Sequence, residues 1–302
     1  MWIDAEFDVC AAALGFRQLK EGQHIQALPI SYVFPGSVCI ASEKSVLDID
    51  HFDVIQGNVG DCWLLSSFQA VASSFPDIIN RCVVQNDEKA GFTIFKLLDN
   101  LIKVDHFIPV IFSSDGSSEI IGPRISKQGE YWCILLEKAF IKLFSSPICP
   151  MDIFQFNMNR RFRHGICPGP SYFDINGGFP RWALSILLGV KIDPIQTKFV
   201  KDLFDIFDCG ENEHFIGCAM TSCEKDDTCI DDGFVYGHAY CILKVDKQRK
   251  LFRVSNPWGI VENTKYDDNV DDGQFWVDEN DFIERFPQIC LAKVHTKTYW
   301  HK

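Results

Sequence analysis

The chain has 302 residues, 47% of them hydrophobic, with 41 acidic against 29 basic side chains and a formal charge of −12. That length exceeds one comfortable core and points to two domains of roughly 100–200 residues, while the charge excludes a phosphate-binding groove or a basic membrane patch, both of which need clustered Lys and Arg. No apolar run approaches the ~18–20 residues of a membrane span, and the 13 cysteines, odd in number, without framework spacing and preceded by no charged, apolar and small-residue leader pattern, read as reduced thiols of an intracellular, cytoplasmic protein.

Residues 1 to about 50, with the Pro- and Gly-rich "ALPISYVFPGS", read as an irregular wrapping arm. From Asp61 onward Leu64, Phe68, Val71, Ala72 and Phe75 share one helical face, and Phe75-Pro76 supplies a stop, which predicts a helix of about four turns. A hairpin-like pair follows, "GFTIFKLLD" and "LIKVDHFIPVIF", joined at Asp99-Asn100. "YWCILLEKAFIKLF" repeats apolar residues at helical spacing, and the polar, Gly-rich "HGICPGPSYFDINGGFP" reads as a connector with a hinge at Gly177-Gly178. After a helical "RWALSILLGV" the chain turns β-rich, through "FIGCAMTS", "GHAYCILKV", "KLFRVSNPWG", "GQFWV" and "ICLAKVHT". The expectation is an α+β protein with a helical domain over residues 1–177 and a β-rich domain over 178–302.

Within the β half, "GHAYCILKV" and "KLFRVSNPW" flank the turn "DKQR". An antiparallel register centred at Lys247 sets His238 opposite Asn256, Tyr240 opposite Val254, Ile242 opposite Phe252 and Leu243 opposite Leu251. An Asn carbonyl beside an imidazole accepts one ring N–H, which fixes the tautomer and frees the other nitrogen for proton transfer. In the other half, "QGNVGDCWLLSS" starts a helix at Cys62, where unpaired backbone N–H groups and the macrodipole favour the thiolate. Gln56, on the approach to that helix, could join the Cys62 backbone N–H as a second oxyanion donor, an arrangement whose loss costs on the order of 10² to 10³ in rate. Taken singly, a buried Cys is usually an inert apolar side chain and a His near a Gly is usually structural. The conjunction of Cys, Gln, His and Asn is what points to a nucleophile, an oxyanion donor, a base and an orienter.

"QGNVGDCWLLSS", "YGHAYCILKV" and "VSNPWG" resemble the three signature blocks of the calpain family of cysteine proteases, and "WIDAEF", "EYWCILLEKAF", "INGG" and "DDGQFWV" resemble its connecting landmarks in the same order. The resemblance implies a papain-like two-domain protease core with an interdomain cleft. Position by position, it makes Cys62 the nucleophile, His238 the base, Asn256 the orienter and Gln56 the oxyanion donor. Trp258 matches a residue that shields the His/Asn pair from water, and Trp63 one that gates the cleft. It further implies two Ca²⁺ sites whose filling closes the halves: Asp53 and Glu130 resemble carboxylates of the first, and Glu262, Asp268 and Asp272 those of the second. Ca²⁺ takes six to eight oxygen ligands, with carbonyls and waters completing the set. Gln274 stands where the family commonly has Glu, and the segment from Trp258 to Asp272 is shorter than in typical members. No EF-hand loop of the D-x-[DN]-x-[DN]-G type occurs in the sequence, so a Ca²⁺ response is expected from the core itself.

The activity so implied is a calcium-dependent intracellular endopeptidase acting on protein and peptide substrates through a thioester. A transglutaminase-like acyl transferase would share the thioester but usually orients its His with Asp. A non-enzymatic calcium-dependent interaction module is the third reading, against which the intact Cys/His/Asn/Gln set counts. His214, Cys218, Cys223 and Cys229 are four possible Zn²⁺ ligands, but their spacings fit no compact finger.

Overall fold

The computed structural model describes residues 1–14, 18–39, 49–166, 169–209, 213–222, 230–260 and 272–295. In chain order these form α1 (Val9–Leu14), β1 (His24–Pro29), α2 (Ile30–Val33), α3 (Cys62–Ser74), α4 (Pro76–Cys82), β2 (Val83–Asp87), β3 (Phe92–Leu97), β4 (Asn100–Asp105), β5 (Phe107–Phe112) and β6 (Ser118–Ile120). Then come α5 (Trp132–Phe144), α6 (Met151–His164), α7 (Pro180–Leu188), β7 (Pro194–Gln196), α8 (Leu203–Ile206), β8 (Glu213–Met220), β9 (Ile230–Asp231) and β10 (Phe234–Val235). The chain finishes with β11 (Ala239–Asp246), β12 (Leu251–Ser255), β13 (Gln274–Asp278), α9 (Glu279–Arg285) and β14 (Gln288–His295). Two compact units result: residues 1–61 with 77–178, and residues 62–76 with 179–302. The helix that begins at Cys62 therefore packs with the C-terminal part of the chain.

The first unit is less helical than its sequence suggests. It holds two three-stranded antiparallel sheets, ordered β1-β5-β6 and β2-β3-β4, beside helix α5, buried at every position but Lys142. The expectation of a helical first domain is corrected on this point. The supposed irregular arm supplies α1 and also β1, whose six residues pair with β5 from His24↔Phe112 to Pro29↔Phe107. The hairpin β3–β4 turns at Leu98 and Asp99, one residue earlier than expected, with Leu98 at a left-handed φ of 54°. The apolar "FIPVIF" leaves that hairpin altogether and joins the other sheet. Helix α6 was not foreseen, because its sequence MDIFQFNMNRRFRH is polar on most faces and buries only Ile153, Asn157 and Arg161.

The second unit is built on a six-stranded sheet, ordered β13-β12-β11-β8-β14-β7. Alternation along its strands sorts two faces. Cys218 and Cys241 turn toward α3, where Cys218 Sγ lies 3.9 Å from Ser67 Oγ and the Cys241 thiol meets the Ser73 hydroxyl. Their neighbours Ala219, Tyr240 and Ile242 enter an aromatic core with Phe204, Phe252, Phe275, Phe282 and Phe286. Helix α3 is buried on nearly all sides, as its small Ser and Ala positions permit. Ser67 donates its hydroxyl to the Trp63 carbonyl (2.7 Å), which satisfies a polar group that would otherwise be stranded. The helix ends where Phe75 precedes Pro76, a pairing that disfavours continued α geometry.

The β11–β12 register departs from the expectation. The ladder runs Cys241↔Ser255 and Ile242↔Val254, is interrupted at Leu243, and resumes at Lys244↔Arg253 through Asp246↔Leu251. Two features move it: a four-residue connection closed by Lys250 in left-handed backbone (φ 55°), and the bulge itself. Carrying the Cys241↔Ser255 register outward places Trp258 opposite His238 and puts Asn256 on the diagonal of the same face. Among the described residues no helix is long and apolar enough to cross a membrane, and the ten described cysteines are free thiols.

Candidate active site

His238 immediately precedes β11 and Asn256 immediately follows β12. Their side chains meet despite the shifted register, with His238 Nε2 2.9 Å from Asn256 Oδ1. The proton on that bond can be assigned. Asn256 Oδ1 accepts the Trp258 backbone N–H (3.0 Å), and its Nδ2 donates to the Ile260 carbonyl (3.0 Å). The amide is thereby fixed with oxygen toward the imidazole, so Nε2 carries the hydrogen and Nδ1 of the neutral ring is the lone-pair nitrogen. Nδ1 makes no hydrogen bond to the described residues.

Both partners are deeply buried, His238 1% and Asn256 0% exposed. Burial lowers the imidazole pKa to about 4 and the Asn256 bond opposes that shift, so at neutral pH the ring stands uncharged, ready to accept a proton. Tyr240 lies edge-on to it at 5.1 Å and the Trp258 ring covers it at 4.8 Å. The backbone of His238 is clamped by Thr221, whose N–H donates to the His238 carbonyl (3.0 Å) and whose Oγ1 accepts the His238 N–H (2.9 Å). Asn256 is held as firmly. Its N–H donates to Gly273 O (2.8 Å) and its carbonyl accepts the Gly259 N–H (2.9 Å). A Cβ on Gly273, at φ +79°, would stand 2.9 Å from both Asn256 O and Gly259 Cα, so only glycine lets these strands approach.

Cys62 is the first residue of the 13-residue α3, which packs on β8 and β11, and its thiol is half-buried. Its charge reaches the buried Tyr240 phenol, whose pKa burial raises first and Cys62 raises further. Nucleophile candidate and base candidate thus belong to one unit. Trp63 is buried and packs edge-on against Trp182 at 5.8 Å. Gln56 belongs to the first unit, where it is buried and donates Nε2 to the Val59 carbonyl at 2.7 Å.

The carboxylates expected to bind Ca²⁺ fare unevenly. Asp53 is fully buried: Oδ2 accepts the Trp132 indole N–H and the Asp50 backbone N–H, each at 3.0 Å, and Oδ1 receives no hydrogen bond among the described residues. Glu130 is also buried in that unit and donates its backbone N–H to Ser126 Oγ. An orphaned carboxylate oxygen fits a cation, although no group of three or more His, Cys, Asp or Glu is gathered for a metal among the described residues. Glu262 and Asp268 lie outside the described residues, and Asp272 Oδ1 accepts the Gln274 N–H at 3.0 Å. Of the zinc candidates, Cys223 and Cys229 lie outside them too, while the His214 ring packs edge-on to Phe75 at 5.6 Å.

The model of the calpain family cysteine protease matches residues 2–147 and 169–270. The chain belongs to the calpain family of cysteine proteases. This calpain-family chain is 25% identical over 326 residues to the calpain-2 catalytic subunit of Gallus gallus (98% of this chain, 43% of that protein). It is 24% identical over 331 residues to the calpain-2 catalytic subunit of Homo sapiens (98% and 43%), and 25% identical over 333 residues to calpain-8 of Mus musculus (96% and 42%). It spans less than half the length of these calpains.

Thr221, Gly273 and the Tyr240 ring escaped the sequence reading. Thr221 has no motif to betray it, since it acts through its hydroxyl on a strand neighbour. Tyr240 lies two residues from His238 on the same strand face, so the period-two alternation alone signals their contact, whatever the cross-strand register.

Proposed function

We propose that the chain is a calpain-type cysteine endopeptidase, with Cys62 as nucleophile, His238 as general base and acid, and Asn256 as the residue that orients the imidazole. The observation that carries this reading is the His238–Asn256 bond, in which the amide's own partners leave one tautomer of the ring. Nδ1 takes the thiol proton and Asn256 Oδ1 stabilises the resulting imidazolium. The thiolate, favoured at the start of α3, attacks a peptide carbonyl. The Cys62 backbone N–H and the second hydrogen of Gln56 Nε2 are the proposed donors to the oxyanion. His238 then protonates the leaving amine and activates water to hydrolyse the thioester. Substrates of this chemistry are extended segments of intracellular proteins, because a bound peptide must be unfolded locally to present its backbone.

We also propose that Asp53 and Glu130 contribute oxygen ligands to a Ca²⁺ ion; a bound ion would supply a partner for the buried Asp53 Oδ1, which no hydrogen bond reaches among the described residues. The test is cleavage of casein against Ca²⁺ concentration, with wild type and Cys62→Ala side by side. Loss of cleavage in Cys62→Ala and in chelator is expected. Equal cleavage by Cys62→Ala overturns the assignment of Cys62 as the nucleophile, and cleavage that persists in chelator overturns only the calcium proposal.

A further inference from the structure

One residue before Cys62 stands a buried carboxyl group that the chemistry above does not use. Asp61 is 1% exposed, and its side chain contacts that of Glu137 on α5, which is fully buried. Among the described residues no N–H or O–H reaches Asp61 Oδ2 or either oxygen of Glu137. Two ionised carboxylates only accept hydrogen bonds, so they can hold each other in a dry core only if a proton lies between them. The Lys138 charge lowers the Glu137 pKa but offsets its burial only in part, because the ammonium bonds to neither oxygen of Glu137. Lys138 Nζ donates to the carbonyls of Asp105 (2.8 Å) and Phe107 (2.9 Å) and pairs with the Asp105 carboxylate.

The surroundings close this pocket of acid. The Tyr172 hydroxyl, likewise buried and without a partner among the described residues, faces the same spot. A Cβ on Gly122 (φ +109°) would stand 3.0 Å from Glu137 Oε2 and 3.7 Å from the Tyr172 oxygen, so the glycine makes room for both. The other titratable groups in range are Cys133 and Lys138 on α5 itself, while Asp53 acts on Cys133, and Asp105 and Cys10 act on Tyr172. Burial first, and the neighbouring carboxylate second, push the Glu137 carboxyl well up, and burial raises Asp61 to about 7.

The main chain at this point is fixed as well. The Gly60 carbonyl accepts the Gly177 N–H at 2.7 Å, and a Cβ on Gly60 would meet Asn176 Oδ1 at 2.4 Å. Residue 60 is therefore pinned by backbone and residue 61 by side chain, and the next residue is Cys62.

We propose that Asp61 and Glu137 are positioning residues, a proton-sharing carboxyl pair that anchors the residue preceding Cys62 and so sets where the thiol begins its helix. The role in positioning rests on the reading of Cys62 as the nucleophile; the shared proton does not.

Two readouts on the intact chain separate these parts. The first is the melting temperature between pH 4 and pH 7. A carboxyl whose pKa rises on folding keeps its proton when the unfolded chain has lost it, so stability falls as pH climbs from about 4, the unfolded value, toward 7. Glu137→Gln supplies an amide N–H to the Asp61 carboxylate and removes the need for the shared proton. The wild type should lose roughly 5–10 °C more than Glu137→Gln across that interval, and equal slopes overturn the shared proton. The second readout is the rate at which iodoacetamide modifies Cys62 at pH 7, followed by mass spectrometry of its peptide. Glu137→Leu, which leaves Asp61 without a partner, should react at least about tenfold more slowly than Glu137→Gln. Equal rates overturn the positioning role. No reaction at Cys62 in the wild type overturns the nucleophile assignment and the positioning role with it, while the melting slopes still decide the shared proton.

Discussion

Replacing Asn256 with Ala tests the site at its most constrained point. Three hydrogen bonds disappear at once: those from His238 Nε2 (2.9 Å) and Trp258 N (3.0 Å) to Oδ1, and that from Nδ2 to Ile260 O (3.0 Å). In a fully buried setting each stranded group costs about 1–3 kcal/mol, but the N–H of the imidazole matters most. A hydrogen bond to a charged group contributes about 1.5–3 kcal/mol, and His238 becomes charged when it takes the Cys62 proton. The loss falls on the charge-separated state, so kcat/KM should drop about 10- to 150-fold at pH 7. Because Asn256 now raises the His238 pKa against the larger lowering by burial, its removal lowers that pKa further and leaves less imidazolium at any pH. Asn256→Asp should act oppositely, a carboxylate favouring the imidazolium and moving the limb assigned to His238 to higher pH. The assay is casein or fluorogenic-peptide hydrolysis across pH 5–9, with melting curves to confirm folding. If Asn256→Ala keeps half or more of the wild-type kcat/KM while His238→Ala abolishes it, the orienting role is wrong.

Three further expectations follow from the same geometry. Gly273→Ala introduces a Cβ 2.9 Å from Asn256 O at a left-handed φ, and should lower turnover at least about tenfold by displacing Asn256; unchanged turnover would show that this close approach is not needed. His238 is held neutral by burial with a pKa of about 4 against about 6.5 unfolded, so its contribution is complete above pH 6.5 and is lost as pH falls toward 4. His238→Gln should therefore remove about 2.5 kcal/mol of acid sensitivity, read from urea unfolding at pH 4.5 and 7. In native alkylation, Cys62 should react while Cys218, Cys241 and Cys290 do not, since burial raises all three thiols, Cys290 to about 11; modification of these three at rates matching Cys62 would contradict the description of the sheet face beneath α3.

How much of this could be read beforehand depended on which physical signal each element carries. Helices α3 and α5 were legible because both bury long apolar runs at helical spacing and meet a clear stop or start. Helix α6 was not, since a surface helix of MDIFQFNMNRRFRH has little burial to impose a period on its sequence. Strand β1 hid for a related reason: HIQALP alternates weakly, and its strand character comes from β5 beside it. The helical reading of the first unit overlooked part of its two sheets for lack of such partners.

The His238–Asn256 contact is more instructive, because the sequence argument reached the correct pair through an incorrect register. A bulge at Leu243 and a longer turn moved every expected cross-strand partner. What survived was parity. Because strand side chains alternate with period two, a shift by two residues keeps His238 and Asn256 on one face and turns a direct neighbour into a diagonal one. A shift by one would have put them on opposite sides of the sheet. The Asn256 amide spans the diagonal because Gly259 and Gly273 let the following turn fold back on it, a close approach that depends on absent side chains and so leaves no apolar pattern to read. The same blindness covered Asp61 and Glu137: in sequence each is an ordinary carboxylate, and only their shared burial, 1% and 0% exposed, makes them a pair.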